Sequence, residues 1–109
     1  MLENSVWKQY HNEKTIHDVL VAFYKDEDEK IIKDEVLLYA SIKRRLTKKE
    51  LRGFIMKEAG IVESSIGETL GLDIEGLKKL LRKAYRKIRQ DDMRNEVTIS
   101  VQNSNNFNT

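Results

Sequence analysis

Three features of this 109-residue chain predict an all-α fold: a small helical bundle with a C-terminal helix-turn-helix and a polar extended tail. There is no proline, 35% of the residues are charged, and the apolar residues recur over most of the length at the three-and-four spacing of a helix. Capping residues then divide the pattern into separate helices.

Leu2 to Tyr10 form the first candidate helix, with Leu2, Val6, Trp7 and Tyr10 on one side. Thr15 caps the second, in which Ile16, Val19, Leu20 and Phe23 make a continuous stripe. The run Asp26-Glu27-Asp28-Glu29 ends that helix and opens a third, roughly 28–44, since negative charge suits a helix N-terminus. Ile31, Ile32, Val36, Leu37, Leu38, Tyr39, Ala40 and Ile42 make this third helix apolar around much of its circumference. Such a helix is expected to be the central post of the core or half of a dimer interface.

Thr47 followed three residues later by Glu50 is a capping box, and it starts a helix carrying Leu51, Phe54, Ile55 and Ala59 that Gly60 stops. A shorter segment, Ser65 to Leu70, is closed by Gly71, the usual left-handed stop. Asp73 can cap the helix that follows. In it, Leu77, Leu80, Leu81, Ala84 and Ile88 form one apolar stripe, and Lys78, Lys79, Arg82, Lys83, Arg86, Lys87 and Arg89 form the other face with no acid before Asp91. Two helices joined by a Gly-containing turn of three or four residues describe a helix-turn-helix, whose second helix enters the DNA major groove.

The tail has a different period. Val97, Ile99 and Val101 alternate with Thr98 and Ser100, which predicts a short strand over 97–101 with no evident partner in the chain. It either pairs with another chain or forms an extended arm, and the Asn- and Ser-rich run from Gln102 to Thr109 reads as disordered. No internal repeat or flexible linker is visible. The sequence divides into an acidic helical part over 1–45 (packing, docking or dimerisation), the helix-turn-helix over 46–90, and the tail over 91–109.

Charge is polarised along the chain. Residues 1–42 carry five lysines against nine acids, a net of −4, and residues 43–109 carry fifteen basic residues against nine acids, a net of +6. That division fits a module that presents one face to nucleic acid and keeps the other off it. The absence of cysteine removes disulfides, thiolate metal sites and cysteine nucleophiles together. No secretory or membrane-spanning run is present, so a cytoplasmic protein with no membrane partner is expected. His11 and His17 lack acids at ligand spacing, the acidic run lacks the glycine and final glutamate of a calcium loop, and no phosphate loop or paired nucleophile and base occurs. Neither metal, cofactor nor enzymatic activity is expected.

Ile66, Gly67, Leu70, Gly71, Leu72, Asp73, Leu77, Lys78, Leu81, Lys83, Ala84, Arg86, Lys87, Ile88 and Arg89 resemble the pattern of region 4 of bacterial RNA polymerase sigma factors, the domain that reads the upstream promoter element. Leu46, Thr47, Glu50, Leu51 and Gly60 are similar to the opening of that domain, so the resemblance covers residues 46–89. It implies a DNA-binding transcription regulator that reads a promoter element through the helix 74–89, with double-stranded DNA as partner and RNA polymerase as a candidate second one. Residues 1–45 are too short and too acidic for the aromatic-rich domain with which sigma factors melt promoters. They are expected instead to dock a partner or to dimerise, and the tail is a second candidate for self-association.

Carried over position by position, the resemblance puts base reading at Ile74, Glu75, Lys78 and Lys79. Ile74 departs from the polar or basic residues usual there, and it either contacts a thymine methyl or packs inward. Glu75 can accept from cytosine N4, and Lys78 or Lys79 can donate to guanine. Gly76 either allows close approach to DNA or is incidental. Arg82, Lys83 and Arg86, further along the helix, suit phosphate. Ser64 and Ser65 either offer a hydroxyl and free N–H groups to a phosphate or simply cap their helix. Lys48, Lys49 and Arg52 form a second basic patch, suited to flanking backbone or to a polymerase surface. The alternative to DNA reading is an interaction module that keeps the helix-turn-helix as scaffold and binds polymerase or another regulator without reading bases.

Overall fold

Seven α-helices and one 3-10 turn make up the fold in the computed structural model, which describes Leu2 and residues 4–99. The helices are α1 (Val6–Tyr10), α2 (Ile16–Tyr24), α3 (Glu35–Arg45), α4 (Lys48–Glu58), α5 (Glu63–Leu70), α6 (Ile74–Arg89) and α7 (Asp91–Val97). Side-chain caps set several starts. The hydroxyls of Ser5 and Thr15 accept from Lys8 and Asp18 N–H, Asp34 accepts from Val36 and Leu37 N–H, and Thr47 and Glu50 form the expected capping box. A second chain segment caps α2 as well, because the two oxygens of Glu35 accept from Ile16 and His17 N–H at 2.9 Å each.

Two apolar clusters fill the interior. The larger takes Trp7, Ile16, Val19, Leu20 and Ile31 from the N-terminal part, Leu38 and Ile42 from α3, Leu51, Phe54 and Ile55 from α4, Ala84 and Ile88 from α6, and Met93 and Val97 from α7. The smaller consists of Met56, Ile66, Leu70, Leu77 and Leu81. α6 therefore spans both, its first half anchored in the helix-turn-helix and its second half in the body. Each fully buried Leu, Ile or Phe contributes about 1.5–3 kcal/mol relative to exposure, so α6 has little freedom to detach. Gly53 permits the α4–α6 approach: a Cβ there would sit 3.0 Å from Leu80 Cδ2.

The third helix differs from the sequence expectation. It begins at Glu35, not near 28, because Asp34 caps it and the preceding residues are drawn elsewhere. Asp28–Lys30 form the 3-10 turn, and Ile31 makes an antiparallel bridge with Thr98. Ile32 N–H donates to Val97 O at 2.9 Å and Ile99 N–H to Lys30 O at 2.7 Å. Nor is α3 the central post: it buries Leu38, Ser41 and Ile42 and leaves Val36 and Leu37 43% and 54% exposed.

The C-terminal expectation needs the matching correction. Val97 ends α7 instead of starting a strand, and Met93 and Val97, one helical turn apart, are both buried. Among the described residues only an isolated bridge follows, and its partner is Ile31, a residue that the α-helical spacing had assigned to a helix. The predicted strand beyond Ile99 and the polar run to Thr109 lie outside the described residues. α7 is held by charge as well. Arg45 pairs with Asp92 at 3.2 Å and with Glu96, which also receives Arg44 and the Ser41 hydroxyl, while Arg94 reaches Asp26 at 3.2 Å.

Candidate nucleic-acid interface

The turn between α5 and α6 is three residues long, and each has a local reason. Gly71 adopts φ +72°, a left-handed conformation that costs a glycine little. Leu72 N–H returns to Gly67 O at 2.8 Å, and a Cβ on Gly67 would lie only 2.8 Å from Leu72 O, so position 67 has no room for a side chain. Asp73 Oδ1 accepts from Gly76 N–H at 2.7 Å. A Cβ on Gly76 would be 3.1 Å from that same oxygen. The contact is tight but falls on a movable side-chain oxygen, and Thr47 caps Glu50 N–H in the same N-cap to N3 geometry with a full side chain present, so the cap by itself does not require glycine at position 76.

Beyond the cap, α6 runs for sixteen residues with Leu77, Leu81, Ala84 and Ile88 buried. Lys78, Lys79, Arg82, Lys83, Arg86 and Arg89 are exposed, and among the described residues none of the six lies within 4 Å of a carboxylate oxygen. Lys87 is the exception on this face. It is half-buried and donates to Glu50 Oε1 at 2.7 Å, so its charge is spent within the fold. Glu50 is buried. Burial pushes its carboxyl up, but the hydrogen bonds from Lys87 and from Thr47 N–H outweigh this and hold it below the ordinary carboxylate value.

The structure answers the open question at Ile74. Its side chain is 47% exposed and belongs to neither apolar cluster, so it does not pack inward. Glu75 beside it is also exposed. Ser64 and Ser65 are exposed in the first turn of α5, yet neither caps it: the N-cap is Val62, which has no side-chain acceptor. The helix consequently starts at Glu63, two residues before the sequence expectation. Of the second basic patch, Lys48 and Lys49 are exposed at the start of α4. Arg52 is half-buried, with Nη1 3.4 Å from the Tyr10 hydroxyl.

Sequence reasoning did not find the groove along one flank of α6. It is an open depression of about 550 Å³ with Lys78, Arg82, Arg86 and Arg89 on one wall, Lys57 and Glu63 on the other, and Leu81 and Tyr85 as its floor. Lys57 and Glu63 neutralise each other at 2.9 Å, and this contact holds the Glu63 carboxyl below its ordinary value. Tyr85 donates to Glu58, its ring meets Phe54 edge-on at 5.3 Å, and burial followed by Glu58 pushes its hydroxyl pKa up. Four exposed cations, none within 4 Å of a carboxylate oxygen among the described residues, beside a Leu81–Tyr85 floor suit the sugar-phosphate edge of a polyanion. The cations were visible as a periodicity; the facing wall comes from a different part of the chain.

His11 and His17 serve the fold. The His11 ring stacks on Trp7 at 3.8 Å with 3° between planes and its Nε2 lies 3.0 Å from Ile55 O, and His17 Nε2 lies 2.9 Å from Asp28 O. No cluster of three potential metal ligands occurs among the described residues. No helix among them is long and apolar enough to cross a membrane. Comparison of the chain with protein-family models, with curated proteins and with solved structures gave no match.

Proposed function

We propose that this chain is a DNA-binding transcription regulator resembling sigma factor region 4, which lays α6 in the major groove of double-stranded DNA to read a promoter element. The observation that carries this reading is the set of six exposed cations on α6, unpaired with acids among the described residues and set directly behind a capped three-residue turn. A solvated surface helix ordinarily intersperses acids with its bases; this one has its only acid, Glu75, in the first turn. Lys78 and Lys79 serve guanine, Arg82, Lys83 and Arg86 serve phosphate, and Ser64 and Ser65 add hydroxyls from the start of α5. RNA polymerase is the second partner in this reading, and the bacterial cytoplasm its setting.

Fluorescence anisotropy with a labelled random duplex tests it. If four to six cations each displace a counterion, log Kd should change with log salt with a slope of magnitude about 4–5. The Lys78→Ala/Lys79→Ala/Arg82→Ala variant should lose most of that binding while keeping its helical circular dichroism. Absence of duplex binding at low salt would refute the proposal.

A second reading, an interaction module that binds polymerase or another regulator without reading bases, draws on a different observation. Val36 and Leu37 expose apolar surface on α3, as a docking or dimerising face does. Ile74 and Gly76, at positions where a base reader ordinarily carries polar or basic groups or a stronger helix former, favour it as well.

A further inference from the structure

The first turn of α6 is unlike the rest of the helix. Behind it every exposed side chain is a cation; in it, the two outward side chains are Ile74 and Glu75. Neither suits a phosphate, because an alkyl group offers it nothing and a carboxylate repels it. Both suit base edges in the major groove, where thymine presents a methyl and cytosine an amino donor. Folding does not account for Ile74: it contributes to neither core, and a β-branched residue is a poor helix former. Gly76 behind it carries no side chain, which keeps this turn slim.

We infer that Ile74 is a specificity residue, selecting a thymine through its 5-methyl group, with the leading end of α6 set deepest in the groove. The inference rests on the DNA-binding reading and names the base feature that reading leaves open. Lys78 and Lys79, a turn later, stand where the helix can reach either a guanine edge or the backbone.

The test uses the full chain. A preferred duplex is selected from a random pool with the wild-type protein, and each thymine in it is replaced singly by deoxyuridine, which removes the methyl and leaves base pairing unchanged. At one position or more, the wild type should bind about fourfold more weakly, the equilibrium equivalent of one buried methyl lost. Ile74→Ala should bind the thymine and uracil duplexes alike at that position, and Ile74→Val should keep most of the difference. Circular dichroism checks that these variants fold, and the wild-type series stands without them. If no thymine shows the loss, or if Ile74→Ala retains it, the inference is overturned while DNA binding stands. If the wild type selects no duplex even at low salt, the inference falls together with the reading beneath it.

Discussion

Replacing Glu50 with Ala should lower stability by an amount that the structure allows one to work out. One oxygen of Glu50, in a residue 4% exposed, accepts from Thr47 N–H at 2.9 Å and from Lys87 Nζ at 2.7 Å. Loss of the reciprocal half of the capping box costs about 1 kcal/mol. The charge-assisted bond to Lys87 contributes a further 1–2 kcal/mol or so, held to the lower part of its usual range because Lys87 is one-third exposed and regains water when freed. The sum is about 2–3 kcal/mol, which for a domain near 100 residues is a fall in Tm of about 10 °C. Thermal melts followed by circular dichroism at neutral pH measure it. Lys87→Met should cost at least as much, because it strands a carboxylate away from both water and a counter-charge. Since Glu50 has a depressed pKa in the fold, its contribution is fully present above its unfolded value of about 4.5 and is lost as pH falls through the folded value. Glu50→Gln should flatten that acid limb. An Ala variant melting within about 3 °C of wild type would show that the α4–α6 pair carries little of the stability assigned to it.

Gly67→Ala should destabilise by about 1–2 kcal/mol in urea titrations despite the higher helix propensity of Ala, because the added Cβ meets the Leu72 carbonyl at 2.8 Å and that turn has no slack. Asp73→Ala should cost about 1 kcal/mol by removing the cap on Gly76 N–H, and it should weaken duplex binding more than it lowers Tm, since it loosens the turn that aims α6. Burial, with Lys14 assisting and Ile55 O and Glu58 opposing, lowers the pKa of His11 from its usual 6.5. Stability that depends on neutral His11 is therefore complete above about pH 6.5 and declines as pH falls through the folded value. Melts between about pH 5 and 8 should show a limb that His11→Gln diminishes; an unchanged limb assigns the effect elsewhere.

Most of the helices, and the turn at the candidate interface, were legible in the residues because their causes are local. Thr15, Thr47, Gly71 and Asp73 act on N–H groups or φ angles within three residues of themselves, and the Leu77–Ile88 stripe needs only a helix to become a face. The errors fell where a distant segment intervened. Ile31 and Ile32 continue the helical period of α3, yet Ile31 bridges Thr98, with Ile32 N–H donating to Val97 O and Ile99 N–H to Lys30 O, across more than sixty residues of sequence. Val97 shows the converse: its alternation with Ile99 points to a strand, but burial beside Met93 makes it the last turn of a helix.

The sequence alone determined that α6 is amphipathic, capped by Asp73 and basic on its outer side, because these follow from residue order at 3.6 residues per turn. Tertiary packing decided which of those charges remain available. It paired Lys87 with Glu50 and left the other six without an acidic partner among the described residues, turned Ile74 outward, and set Lys57 and Glu63 opposite Arg82 to make a groove. The physical reason is that periodicity assigns a side chain to a face, whereas its pairing and exposure depend on what the rest of the chain brings against that face.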